Sequence, residues 1–146
     1  MNRYLLFPLI MLLMTFNAHA ASGQSALQIV KSVQNGVKAK SVYQVMAHFT
    51  SDWVLEKQYE SSKSSYTYDE YKEFIAKVMQ VMHNYHYKIV KSGPLEDNGE
   101  NTYAMQLTLQ EMYFIGKKYL EERHDQTWYF AEESGTLKVF AIEVHN

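Results

Sequence analysis

Apolar positions set the order of elements along this chain. Leu27, Val30, Val33 and Val37 recur at helical spacing, with Ile29 widening the stripe, and Asn35-Gly36 is expected to end that helix. Ser41-Val42-Tyr43-Gln44 has the form of a capping box. Val42, Val45, Met46 and Phe49 follow as one buried face, so a second short helix is predicted there. Thr50-Ser51-Asp52 turns the chain into a strand starting at Trp53-Val54-Leu55, which fades into the polar run from Glu60 to Ser65. Thr67-Tyr68-Asp69-Glu70 is another capping box, with two acids in the first turn to suit the helix dipole. The third helix is expected to reach about Asn84, with Tyr71, Phe74, Ile75, Val78, Met79 and Met82 on its apolar face.

The rest of the chain changes period from helical to alternating. Tyr85 to Lys91 is aromatic and β-branched and predicts a strand ending at Gly93-Pro94. Asp97-Asn98-Gly99 marks a turn. Tyr103, Met105, Leu107 and Leu109 alternate with polar neighbours, and the alternation slips between Glu111 and Phe114, as at a bulge or a strand end. Gly116-Lys117 leads into a strand from Lys118 to Phe130. Glu133-Ser134-Gly135 then closes a hairpin to a last strand from Leu137 to Val144. The predicted order is α-α-β-α-β-β-β-β, an α+β domain.

The front of the chain follows a different logic. Arg3 precedes an almost wholly apolar run from Tyr4 to Phe16, and Ala18-His19-Ala20 fits the small-x-small rule for signal peptidase. The run is shorter than the ~20 residues that span a bilayer. No Cys follows it, which excludes lipoprotein attachment. A signal peptide over 1–20, cleaved after Ala20, and a single domain over 21–146 are expected, periplasmic or secreted and off the membrane once cleaved. The absence of Cys rules out thiol chemistry, cysteine metal sites and iron–sulfur clusters. Without Arg3 the chain carries 13 basic against 16 acidic side chains, with no basic run to displace counterions, so nucleic acid is not an expected partner. Arg123 is the only Arg after the leader.

Helix, helix, strand, helix and a meander of long strands resembles the nuclear transport factor 2-like (SnoaL-like) superfamily over nearly the whole of 21–146. The segments that carry the resemblance are Phe49-Thr50-Ser51-Asp52-Trp53-Val54, then Thr127-Trp128-Tyr129-Phe130, Gly135 and Leu137-Lys138-Val139. The resemblance implies a cone: a strongly curved antiparallel sheet wrapped around the long third helix, with a pocket at its open end and an outer sheet face that often dimerises. Ketosteroid isomerase-like members place a carboxylate base late in the first strand and a Tyr on the first helix. Here those positions fall near Lys57 or Gln58 and near Ile29, so their activity is not carried over. Fold alone does not assign function.

Glu121-Glu122-Arg123-His124-Asp125 is the densest ionisable cluster. Alternation puts Glu122, His124, Gln126, Trp128 and Phe130 on one face of their strand. If Trp128 and Phe130 face the interior, Glu122 and His124 line the mouth of the cone as a proton-transfer pair, the candidate catalytic residues. The alternative is a solvated strand end with cross-strand ion pairs. Trp53, Leu55, Phe74, Val78, Gln126, Trp128 and Phe130 are the expected pocket wall, and Phe74, Val78 and Trp128 the expected centre of the core. His83 and His86 are three apart, but the helix is expected to end between them, so carbonyl capping is preferred to metal ligation. No metal or cofactor is expected. Six Tyr on predicted strands serve either core volume or a ligand wall, and those on the outer surface suggest a dimer face. Three functions stay open: a module binding a small apolar or aromatic ligand or a partner protein without turnover, which is preferred, an acid–base enzyme (isomerase, dehydratase or hydrolase) using Glu122 and His124, and a structural homodimer joined through its sheet.

Overall fold

The computed structural model describes residues 21–58 and 62–145; the expected leader, residues 1–20, lies outside them. The elements are α1 (Gly23–Lys38), α2 (Val42–Met46), β1 (Trp53–Gln58), β2 (Ser62–Thr67), α3 (Tyr68–Val81), β3 (Met82–Gly99), β4 (Thr102–Ile115), β5 (Lys118–Glu133) and β6 (Thr136–Val144). They build one six-stranded sheet in the order β2-β1-β6-β5-β4-β3. Neighbours are antiparallel except β1 and β6, which run parallel. The sheet is curved and unclosed, with the helices in its hollow. The α+β cone expected from the resemblance is therefore the fold, with one strand more than the predicted order.

Local chemistry explains each helix. Thr67 Oγ1 accepts from the Glu70 amide at 3.2 Å, and Glu70 Oε2 accepts from the Thr67 amide at 2.8 Å, so α3 starts on a complete capping box. In α2 only half of the motif forms. Ser41 Oγ caps the Gln44 amide at 3.2 Å, while the Gln44 side chain donates to the Ser32 carbonyl at 3.1 Å and ties α2 to α1. Asn35-Gly36 does not end α1, which runs on to Lys38. Gly36 instead lets α2 approach: a Cβ there would sit 2.8 Å from Val45 Cγ2.

Three strand expectations are corrected. The polar run Ser62–Thr67 is β2, an edge strand paired with β1. β3 does not stop at Gly93-Pro94 but continues to Gly99. It is the opposite edge of the sheet, where a proline's missing donor need not pair. Its register against β4 shifts at four places, which bends the long strand. β4 neither bulges against β5 nor ends at Glu111; it keeps unbroken register with β5 from Thr102 to Ile115.

α3 ends at Val81, so His83 and His86 lie on β3 rather than on a helix turn. Among the described residues no three His, Asp or Glu side chains gather to hold a metal ion. The solid core joins Ala26 and Val30 of α1, Val45 and Met46 of α2, Val54, Met105, Trp128, Phe130 and Val139. Trp128 is fully buried, but Phe74 and Val78 are only half-buried. They line a cavity instead of filling the core's centre.

Candidate functional site

The hollow of the cone is not filled. A cavity of about 350 Å³ opens between α1, α3 and the concave face of the sheet. Its apolar wall comes from Val33, Val37, Val45, Phe49, Phe74, Ile75, Val78, Leu109, Trp128, Ile142 and Val144. Its polar groups are Gln34, Glu56, Tyr71, Glu111, Tyr113, Glu122, His124 and Gln126. Strand alternation puts them there. Glu122 pairs across strands with Glu111, His124 with Leu109, Gln126 with Leu107 and Trp128 with Met105, so every second residue of β4 and β5 faces inward.

Of the residues expected from the sequence, Glu122, His124, Gln126, Trp128, Phe74 and Val78 line this cavity. His124 Nε2 lies 3.5 Å from Glu122 Oε2, within ion-pair range. Gln126 Oε1 accepts from the Trp128 indole N–H at 2.8 Å, which satisfies the one polar atom of that buried ring. Trp53, Leu55 and Phe130 do not reach the wall. On β1 it is Val54 and Glu56 that face inward, because Glu56 pairs with the inward-facing Ile142 of β6. Trp53 is therefore 57% exposed. Leu55 lies on the outer face beside Tyr129, Phe140 and Ala141. Phe130 sits beyond the register shift between β5 and β6, in the solid core against Val139.

Two carboxyl groups of the site went unseen in the sequence. Glu56 accepts from the Tyr71 hydroxyl at 2.8 Å. Burial pushes its pKa up, and the Tyr71 hydrogen bond pulls the other way. The first strand thus does carry an inward carboxylate, one residue before Lys57, the first of the two positions that align with the isomerase-like base. Ile29 is not on the cavity wall; Gln34 is the polar residue that α1 contributes. Glu111 Oε1 and Gln34 Oε1 both lie 2.7 Å from the Tyr85 hydroxyl. Burial raises the Glu111 carboxyl first of all. The Tyr85 hydrogen bond lowers it, the Glu122 charge raises it and His124 lowers it. Tyr113 is pushed up to about 12 by burial, a hydrogen bond to Glu122 and the charges of Glu122 and Glu111. Tyr71 and Tyr85 are raised further by burial and by Glu56 and Glu111 respectively. All three tyrosines are consequently neutral, and able to donate, at any physiological pH.

The strand tyrosines mostly turn inward. Tyr87 donates to Asn35 Oδ1 at 2.8 Å, Tyr85 reaches Gln34, and Tyr113 is on the cavity wall. Tyr119 and Tyr129 face out, each beside a glutamate. Among the described residues lining the cavity there is no Lys or Arg. The site gathers an imidazole and three neutral tyrosine hydroxyls, each hydrogen-bonded to one of three carboxyl groups, against an aromatic and aliphatic wall.

No protein-family model matches this chain, and no curated protein matches its sequence. Solved structures do match its shape. It is similar to a candidate dehydratase of the nuclear transport factor 2-like family from Streptomyces avermitilis, at 9% identity and a TM-score of 0.71, over 84% of this chain and 94% of that one. It is also similar to an uncharacterised cystatin-like protein from Caulobacter vibrioides (8% identity, TM-score 0.69, 84% and 87% covered). A third match is a candidate scytalone dehydratase from Novosphingobium aromaticivorans (9% identity, TM-score 0.68, 83% and 80% covered). At such identities the likeness is one of architecture, and that architecture is the cystatin-like cone of the nuclear transport factor 2-like proteins.

Proposed function

We propose that the cone binds a small, uncharged, largely apolar molecule carrying a hydroxyl or carbonyl group and moves protons on it, in an isomerisation or a dehydration. The observation that carries this reading is the Glu122–His124 pair, 3.5 Å apart inside a cavity whose other polar groups converge on the same space. His124 is the base and Glu122 orients its ring, with the Tyr113 hydroxyl donating to Glu122. The described lining has no Lys or Arg to pair with a phosphate or carboxylate substrate, and the Glu122 charge would repel one. Dehydration is the first reaction to assay, because two proteins sharing the cone are described as candidate dehydratases.

Binding without turnover is the second reading, favoured by the apolar majority of the wall. One experiment separates the two. Cyclic alcohols and ketones are screened by thermal shift, and each binder is then assayed for conversion by the wild type and by His124→Ala. Turnover that falls about 10²–10⁴-fold in the variant, with binding kept, is the expected result. Binders that are never converted leave the module reading, and turnover unchanged in His124→Ala overturns the role of the pair.

A further inference from the structure

Glu111 and Glu122 stand directly opposite each other on adjacent strands, with both side chains on the concave face. Like charges in that position repel; Glu111 is half-buried against the cavity, while the Glu122 side chain is 41% exposed. The hydrogen bonds around Glu111 give a separate reason to count protons. The Tyr85 hydroxyl has one proton, yet it lies 2.7 Å from Gln34 Oε1 and 2.7 Å from Glu111 Oε1. With the Gln34 oxygen as acceptor, Tyr85 donates to it, and the contact with Glu111 is satisfied only if Glu111 donates to the Tyr85 oxygen. We propose that Glu111 and Glu122 are a carboxyl pair that keeps one proton at neutral pH, held on Glu111, which makes Glu111 the proton donor of the site. The donor role rests on the acid–base reading above; the shared proton does not.

The groups facing Glu111 agree with this. From β3 come Tyr85 and Tyr87, from β4 Tyr113, and from β5 Glu122 and His124, while α1 contributes the uncharged Gln34. Burial and the Glu122 charge act together to keep the proton on, against His124 and against Tyr85 only when its hydroxyl turns from Gln34 to donate to Glu111. In an elimination the protons balance. His124 takes the proton from carbon, and the C–H electron pair becomes the new double bond. The C–O bond breaks toward the hydroxyl, which leaves as water with the proton from Glu111. Transfer from His124 by way of Glu122, which lies beside both, returns the proton to Glu111.

The test is a carbon-13 NMR titration of glutamate side-chain carboxyls, with Glu111 assigned through Glu111→Gln. The Glu111 resonance is expected to stay in its protonated position at pH values where ordinary glutamates have ionised. Its midpoint is expected to fall in Glu122→Gln, which removes the repelling charge. A midpoint in the ordinary glutamate range overturns the proposal; it is also what a Gln34 amide turned to donate to Tyr85 would give. A midpoint that is unmoved in Glu122→Gln overturns the pairing. Turnover is scored separately: Glu111→Gln that keeps wild-type turnover removes the donor role even where the shared proton is found. Wild-type protein without turnover on any binder sinks the acid–base reading and leaves the titration to decide the pair.

Discussion

Glu56 shows how far a single side chain can be read. Its carboxyl is inside the cone with Tyr71 donating to it, and burial holds its pKa above the ordinary glutamate value. The folded state therefore keeps this proton to higher pH than the unfolded chain does. The resulting contribution to stability is fully present below about pH 4.5, the ordinary value, and is lost as pH rises through the folded pKa. Gln at this position still accepts from Tyr71 and never ionises. Urea unfolding of wild type and Glu56→Gln at several pH values should show the wild type losing stability relative to the variant as pH rises; parallel curves would mean that Glu56 ionises as freely inside the cone as outside. Nothing near Glu56 in the sequence announces it. Trp53 and Leu55 are the larger apolar residues of β1 and suggest an inward parity through themselves, whereas the buried Val54 sets the inward face. Glu111 was hidden for a related reason: where a strand lines a cavity, polar residues take inward positions and the alternation looks broken. Glu122 and His124 were legible because Trp128, the fully buried anchor of their strand, shares their parity.

At the scale of elements, the crossing of α1 and α2 turns on Gly36. Ala in a helix interior is better than Gly by about 1 kcal/mol. Here the added Cβ would meet Val45 Cγ2 at 2.8 Å, the Val45 backbone nitrogen at 3.1 Å and Gln44 Cβ at 3.3 Å. The Val45 methyl can rotate away, but the backbone cannot, because the Ser41 cap and the Gln44–Ser32 bond hold α2 in place. The steric term should win, and Gly36→Ala should destabilise the domain by about 1–3 kcal/mol, read as a lower urea midpoint at unchanged slope. A raised midpoint would show that α2 yields to the methyl group. In the sequence the same glycine looked like a helix stop. Asn-Gly is a turn signal by propensity, and only the second helix lying against it reveals the other use. The capping box at Thr67 is legible in the sequence because its partners are three residues apart and need no tertiary contact. β2 and the outer half of β3 are not legible in the sequence because edge strands need no apolar alternation.

At the scale of the whole molecule, β6 is the hinge of the topology. The β1–β2 hairpin reaches the other strands only through β6, the last strand in sequence, which pairs with β1 on one side and β5 on the other. The entry to β1 is fastened to the same strand. Phe49 bridges Val139, the Thr50 amide donates to the Val139 carbonyl at 3.0 Å, and the Val139 amide donates to the His48 carbonyl at 2.7 Å. Early and late segments therefore complete the sheet together. Unfolding should be a single transition across the sheet. The chain's two Trp allow a direct check, since Trp53 lies on β1 and Trp128 on β5. In the two single-Trp variants, Trp53→Phe and Trp128→Phe, urea transitions followed by fluorescence and by far-UV circular dichroism should superpose within each protein. Trp128→Phe, which leaves only the β1 reporter, is the decisive case. If its Trp53 signal were lost at lower urea than the helical signal, the β1–β2 hairpin would be opening as a separate unit, and the cone's wall at Glu56 would be a movable flap.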